Sequence, residues 1–147
     1  MGKFVIISLL VLLVSLDAEA LPLFRNFNIV ISNNLKSSKV LKVHCRSKDD
    51  DPPFHFLDVN TAYELKFTVY PKTLYWCNLW QGPNYKHYAR FDAFVADDHF
   101  IDDVCGGRKP NVCTWVATEE GIYVRNNARG DYKLLYKWDA TAEQNIP

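Results

Sequence analysis

The sequence predicts an all-β, single-domain, antiparallel β-sandwich of about eight short strands, cross-linked by two disulfides. Three observations lead to this prediction. Apolar and polar residues alternate in many short runs, turn residues separate those runs, and all four cysteines lie beyond an apolar N-terminal leader. Alternation with a period of two is typical of half-buried strands, and frequent turns between short strands favour a sandwich.

Residues 1–20 have the pattern of an export signal. Lys3 precedes an almost unbroken apolar run at 4–16, and Ala18-Glu19-Ala20 offers the small residues that a signal peptidase requires. A helix over that run would reach only about 20 Å, against a hydrocarbon core of about 30 Å, so a cleaved signal is favoured over a membrane anchor. We therefore expect a secreted, extracellular domain over residues 21–147, without membrane insertion.

The run 40–51 shows the strand pattern most clearly. Its apolar and polar side chains fall on opposite faces: Leu41, Val43 and Cys45 against Lys42, His44 and Arg46. Three successive aspartates and Pro52-Pro53 then end the strand, because clustered carboxylates resist burial and proline removes backbone donors.

The remaining chain divides into further short strands. In order, they are predicted at residues 28–32, 54–58, 62–70, 73–80, 88–96, 112–118, 122–126 and 132–138. The short Pro71-Lys72 connection predicts a hairpin between the runs at 62–70 and 73–80. In the run at 88–96, alternation places Phe94 on the same face as Tyr88, Arg90 and Asp92. Residues 96–111 read as a loop, and residues 140–147 as a frayed tail.

An even number of cysteines in an exported domain predicts two disulfides. The sequence leaves all three pairings open. We favour Cys45–Cys113 with Cys77–Cys105, since the first bridge would close the longest loop and stabilise the fold by roughly 4 kcal/mol. A zinc site is the alternative, but no C-x-x-C knuckle is present and export favours oxidation.

Charge gives no reason to expect a nucleic-acid partner. The whole chain has 17 Lys and Arg against 17 Asp and Glu, and removal of residues 1–20 leaves 16 against 15. A net charge this small also argues against a defence protein that acts directly on microbial membranes.

Four histidines raise the possibility of a secreted hydrolase or ribonuclease. Two imidazoles act together as base and acid in such enzymes, and the candidates are His44, His55, His87 and His99. Their spacing does not require them to meet, and no nucleophile elbow or phosphate-binding loop accompanies them. Scattered surface histidines are the commoner case, so we predict no catalytic residues.

Clustered acidic residues follow several strands without forming a recognisable metal site. Asp49 to Asp51 and the pairs Asp97-Asp98 and Asp102-Asp103 lack the ligand order of an EF-hand. We expect no metal and no cofactor, and solvated loops suited to recognition of a charged partner.

The order of motifs resembles the plant self-incompatibility protein family, the S-protein homologues. An Asn-Asn-Leu turn at Asn33 is followed by the segment L-K-V-H-C-R-S-K-D-D-D from Leu41 and by T-L-Y-W-C from Thr73. Cys105, the C-T-W run from Cys113, the G-I-Y run from Gly121 and a closing strand at 132–138 complete the resemblance, which covers almost the whole mature chain.

The resemblance implies a small secreted plant protein with a β-sandwich fold, two disulfides and no catalytic residues. Together with export, the disulfide-linked sandwich and the charged loops at strand ends, it favours a non-enzymatic signalling ligand recognised by a cell-surface receptor, in pollen rejection or another cell–cell signal. We expect a monomer. Recognition loops are expected at residues 47–53, 81–87 and 96–107. The candidate contact residues are Lys48, Asp49, Asp50, Asp51, Asn84, Lys86, His87, Asp97, Asp98, Asp102 and Asp103.

Overall fold

The computed structural model describes residues 21–141, so the export signal predicted at residues 1–20 lies outside the described residues. Within them, nine strands and one short helix follow one another. They are β1 (Asn26–Asn33), β2 (Leu41–Arg46), β3 (His55–Leu57), β4 (Ala62–Thr68), β5 (Leu74–Gln81), β6 (His87–Val95), α1 (Asp98–Asp103), β7 (Val112–Ala117), β8 (Ile122–Arg125) and β9 (Tyr132–Tyr136). Over this part of the chain, no helix is long and apolar enough to cross a bilayer.

The strands form two sheets, as a sandwich requires. The five-stranded sheet has the order β4-β1-β7-β8-β9, and the four-stranded sheet has the order β3-β2-β5-β6. Neighbouring strands are antiparallel in every pair but one, since β1 and β7 run parallel. The predicted β-sandwich is confirmed, whereas its purely antiparallel character is wrong at this pair.

The core lies between the facing sides of the two sheets, as the alternation predicts. Leu41, Val43 and Cys45 of β2 are buried, and β5 buries every second residue. In β4, Leu65 and Phe67 are buried and Tyr63 is half-buried. Trp115 of β7 is fully buried, packs on Phe91 and Tyr136, and donates its indole N–H to the Ala93 carbonyl at 3.1 Å. Because a buried carbonyl needs a donor, this bond satisfies a group of the opposite sheet.

The favoured disulfide pairing is wrong. Cys45 pairs with Cys77 and Cys105 pairs with Cys113. Cys45 and Cys77 lie directly opposite each other on β2 and β5, with Cα atoms 4.0 Å apart. The second bridge joins the segment after α1 to β7, eight positions along the chain. Strand register places Cys45 opposite Cys77, and the length of the loop that a bridge would close gives no information about that register.

Two of the predicted connections are also wrong. The strands β4 and β5 form no hairpin, because the turn at residues 69–73 carries the chain from one sheet to the other. Residues 98–103 of the predicted loop form a helix, which begins with the Asp97 carboxylate accepting the His99 backbone N–H at 2.7 Å. Ile101 buries the inner side of this helix in the core.

A register shift alters one predicted face. The pairing of β5 with β6 moves from Trp76 opposite Asp92 to Tyr75 opposite Phe94, so Ala93 is the extra residue of a β-bulge. Phe94 consequently turns into the core, where it packs on Phe27 and Phe67, and does not share the outer face with Tyr88, Arg90 and Asp92.

Candidate functional site: the outer face of the four-stranded sheet and its loops

The outward side of the four-stranded sheet is an aromatic and cationic surface, which we call the outer face. Strand register arranges its side chains in three rows across the sheet. The first row is Phe56, Lys42, Trp80 and Tyr88; the second is His44, Asn78 and Arg90; the third is Arg46, Trp76 and Asp92. With strands about 4.8 Å apart, the face is about 14 Å wide. Phe54, just before β3, lies beside the first two rows.

Lys42 is at the centre of the aromatic rings of the first row. Its Nζ lies 4.7 Å from the centroid of Phe54, 4.9 Å from that of Trp80 and 5.9 Å from that of Phe56. The rings are not shielded, because Phe54 is 47% and Phe56 59% exposed. Cation–π contacts of this kind contribute about 0.5–2 kcal/mol each and fix the ammonium group over the rings.

Trp76 organises the other end of the face. The guanidinium carbon of Arg46 lies 5.6 Å from a Trp76 ring centroid, and that of Arg90 lies 5.4 Å away. These two arginines come from the strands on either side of β5, so the indole is flanked by cations. Asp92 faces Trp76 from β6, so this end also has an exposed carboxylate.

His44 connects the outer face to the first acidic loop. Its Nε2 lies 2.7 Å from Asp51 Oδ1, and its ring stacks on Phe54 with centroids 4.1 Å apart. Arg46 approaches the same carboxylate at 3.9 Å. Asp51 is therefore held against the sheet by two cationic or potentially cationic side chains, while the rest of its loop extends beyond the strand.

The loop at residues 47–53 is an ordered turn in which the carboxylates of Asp50 and Asp51 have side-chain partners. The Ser47 hydroxyl accepts the backbone N–H groups of Asp49 and Asp50, and Asp50 Oδ2 accepts the Tyr75 hydroxyl at 2.8 Å. Burial of the phenol, together with the hydrogen bond to Asp50, raises the pKa of Tyr75 to about 12. Lys48 and Asp49 are exposed on a cleft of about 830 Å³ between this loop and the β4–β5 turn.

The loop at residues 81–87 is at the opposite end of the sheet. Asn84 Oδ1 accepts the Lys86 backbone N–H at 3.1 Å, and His87 Nδ1 lies 2.6 Å from Asp139 Oδ2. The hydrogen bond with His87 lowers the pKa of the Asp139 carboxyl, and a second bond from the Tyr88 backbone N–H adds to this effect. Asp139, near the C-terminal end of the described residues, thus holds the end of this predicted recognition loop in place through hydrogen bonds.

The loop at residues 96–107 is built around α1 and divides its four acidic side chains. Asp98 and Asp102 line one shallow cleft, of about 480 Å³, together with Arg108 and Lys109. Asp97 and Asp103 line another, of about 450 Å³, together with His99 and Lys133. Behind the helix, Asn127 Nδ2 donates to the carbonyls of Gly107 and Val112 at 2.9 and 2.7 Å. Asn127 thereby joins the segment that follows the helix to the first residue of β7.

The three predicted loops do not form one surface. Loop 47–53 follows Arg46 and loop 96–107 follows Val95, and both positions lie at the end of the sheet where β5 begins. Loop 81–87 lies where β5 ends. The structure thus brings two of the predicted loops to one end of the outer face and places the third at the other end.

The four histidines lie in different parts of the fold. His44 contacts Asp51 on the outer face, whereas His55 points to the other side of the same sheet and stacks on Tyr63 with centroids 4.1 Å apart. His87 contacts Asp139, and His99 is in the first turn of α1. Among residues 21–141, no group of three or more His, Cys, Asp or Glu could hold a metal ion. The geometry assembles no pair of imidazoles for acid–base catalysis.

The sequence interpretation missed the aromatic part of the outer face. Its signal is the presence of Lys42, Trp76, Trp80, Tyr88 and Arg90 at outward positions of predicted strands, where solvated polar residues would be usual. Recognising the cluster from sequence also requires the registers that bring Lys42 between Phe56 and Trp80.

Comparison with known proteins gives a consistent result. Residues 28–138 match the family model described as plant self-incompatibility protein S1. Among curated proteins of Arabidopsis thaliana, S-protein homolog 11 is 38% identical over 129 residues, which cover 84% of this chain and 85% of that protein. S-protein homolog 8 is 34% identical over 113 residues, with coverage of 76% and 80%.

A solved structure supports the same fold. It belongs to the self-incompatibility protein homologues, described as a widespread family of small, highly stable, secreted plant proteins, and superposes with a TM-score of 0.59 at 24% identity. The superposition covers 79% of this chain and 96% of the solved chain. The family match, the curated relatives and the two-sheet fold with its two disulfides together show that the chain belongs to the plant self-incompatibility protein S1 family, the S-protein homologues.

Proposed function

We propose that this chain is a secreted, non-enzymatic signalling ligand that a cell-surface receptor recognises. The observation that supports this function best is the outer face, where exposed rings and cations form a surface suited to binding. Protein interfaces are enriched in Trp, Tyr, Phe and Arg, and their strongest contacts are concentrated in such residues. Secretion agrees with the leader at residues 1–20 and with the description of the solved homologues.

Separation of the histidines favours binding over catalysis. A ribonuclease-type enzyme needs two imidazoles on the same substrate. Here three of the four imidazoles contact different partners, and the fourth histidine lies in the first turn of α1. The disulfides and the helix of loop 96–107 provide a rigid frame that holds a recognition surface at little entropic cost on binding. We propose that the protein acts as a monomer.

The test is binding of labelled, oxidised protein to pollen tubes and to other plant cells. Saturable binding that unlabelled protein displaces, and that a reduced and alkylated sample lacks, is the expected result. Absence of saturable binding from every cell type would contradict the proposal. An enzymatic activity of the purified protein that is lost on His44→Asn or His87→Asn would contradict its non-enzymatic part.

The acidic loop around α1 can be tested in the same assay. The double change Asp98→Lys and Asp102→Lys reverses charge in one cleft without touching the buried Ile101. If this loop contacts the receptor, we expect the double variant to bind more weakly. Glu64→Lys, which also reverses a charge but lies on the exposed side of β4, serves as the control. Equal binding by all three proteins would remove this loop from the interface.

A further inference from the structure

The outer face has more positive charge than its own carboxylates neutralise. Among residues 21–141, no carboxylate lies within 4.0 Å of Lys42 Nζ or of the Arg90 guanidinium, and both cations lie over aromatic rings. The acidic groups beside the face are Asp51, which is engaged by His44, and Asp92, which lies opposite Trp76. The first two rows thus expose two cations without an acidic partner.

The surroundings of Lys42 make its charge unusually available for binding. Its Nζ lies 4.7 to 5.9 Å from three ring centroids, so an anion that approaches from outside would meet an ammonium group already positioned by these rings. A charge pair formed with a cation that is already held in place loses less side-chain entropy than a pair between two mobile side chains.

We propose that the outer face is the surface on which the receptor docks, and that the receptor contributes a carboxylate-bearing peptide segment which pairs with Lys42 and Arg90 above the rings. This inference rests on the proposed function and names the chemistry of the partner. Lys42 is in the first row on β2 and Arg90 in the second row on β6, so β5 separates them laterally by two strand spacings, about 10 Å. One extended segment that crosses β5 can reach both cations with two carboxylates.

The ring geometry favours a peptide over a polysaccharide or a nucleic acid. Sugar rings and bases stack on open, flat aromatic faces. Here the planes of Phe54 and Trp80 are inclined by 42° and those of Trp80 and Tyr88 by 40°, and Lys42 lies over two of these rings. Inclined rings with a cation between them suit a folded or extended polypeptide that offers apolar side chains and carboxylates together.

The first experiment uses a probe that needs no cells. Decaglutamate peptide is titrated into isotope-labelled, oxidised protein, and amide chemical shifts are followed by NMR, with decalysine peptide and polygalacturonate in parallel. We expect shifts for decaglutamate centred on β2, β5 and β6 that weaken as salt increases, and none there for decalysine. Shifts centred elsewhere would overturn the proposal, and so would equal or stronger binding of polygalacturonate at the outer face.

The second experiment uses variants that keep the packing. Lys42→Met retains most of the aliphatic stem over the rings and removes the charge, and Arg90→Gln does the same above Trp76. Lys137→Met, at an exposed position directly after β9, is the matched control. We expect cell-surface binding to fall about thirtyfold for Lys42→Met, the loss that a hot-spot contact of about 2 kcal/mol produces, and to stay unchanged for the control.

The two proposals fail in different ways. Saturable binding of the wild type that Lys42→Met and Arg90→Gln leave unchanged would overturn the docking surface while the signalling function stands. Absence of saturable binding for the wild type would overturn the function itself, and the peptide titration would still decide whether the face selects carboxylates. Circular dichroism and the urea midpoint of each variant separate a lost contact from a lost fold.

Discussion

Asn33 provides the sharpest test of how the fold is held together. It is the last residue of β1 and is fully buried although its side chain is polar. Its Nδ2 donates to the carbonyls of Lys39 and Leu57 at 2.9 and 2.8 Å, and its Oδ1 accepts the Leu35 backbone N–H at 2.9 Å. One amide therefore satisfies three backbone groups and joins β1 to the chain around β2 and β3.

The substitution Asn33→Asp keeps the shape of the side chain and removes both donors. Each buried carbonyl left without a donor costs about 1–3 kcal/mol, so we expect a loss of about 4 kcal/mol in the free energy of unfolding at neutral pH. For a urea m-value of about 2 kcal/mol/M, the unfolding midpoint falls by about 2 M. Asn34→Asp is the matched control, because Asn34 is exposed, and we expect it to change stability by less than about 0.5 kcal/mol.

The same substitution predicts a pH dependence of defined sign. Burial against two carbonyl oxygens raises the pKa of the introduced carboxyl above its value in the unfolded chain. The folded variant then holds a proton that the unfolded chain has lost, so stability falls as pH rises through this range and recovers on acidification. Urea unfolding at pH 4 and pH 7 measures the difference. A loss no larger than that of Asn34→Asp, or a loss independent of pH, would refute the role assigned to Asn33.

Three further predictions concern the core, the disulfides and the acidic loop. Trp115→Phe keeps an aromatic ring on Phe91 but leaves the Ala93 carbonyl without its donor. We therefore expect urea unfolding to show a free energy of unfolding about 2 kcal/mol lower. A loss below about 0.5 kcal/mol would contradict the role of the indole N–H. Replacing both cysteines of a bridge by alanine should lower the free energy of unfolding by about 4 kcal/mol at Cys45–Cys77, which spans 32 positions. The loss should be about 2.5 kcal/mol at Cys105–Cys113, which spans eight. Peptide mapping without reduction should recover these same pairs. The pKa of Tyr75 is raised to about 12, so the unfolded phenol ionises first and stability should decline between pH 10 and pH 12. Tyr75→Phe should weaken this decline and remove a tyrosine transition near pH 12 from an ultraviolet titration.

Side-chain faces were the most predictable part of the fold, because alternation is a local property of a strand. The inward positions of β2 and β4 follow from the sequence alone, and the two-sheet architecture follows from many such strands. Phe94 shows the limit of this reasoning. A single extra residue at Ala93 reverses the faces of the residues after it, and no sequence signal marked that bulge.

Pairing between distant segments was the unpredictable part. A short turn at Pro71-Lys72 usually joins a hairpin, but Lys72 has a φ of 68° and the chain changes sheets there. The Cys45–Cys77 bridge and the position of Lys42 between Phe56 and Trp80 depend on strand register in the same way. Two of the three predicted contact loops are turns between strands, and the third contains α1, whereas the outer face between them follows only from strand register.

The parallel pairing of β1 with β7 has a consequence for biosynthesis. Val112 pairs beside Asn28, 84 positions earlier in the chain, and β1 is an interior strand of its sheet. During synthesis, β1 emerges early but lacks this neighbour until the chain has been extended through β7 at residues 112–117. Contacts of such long sequence separation slow folding. A product truncated before β7 would thus expose the edge of β1 beside Ile29 and Ile31, and we expect it to aggregate instead of forming a smaller domain.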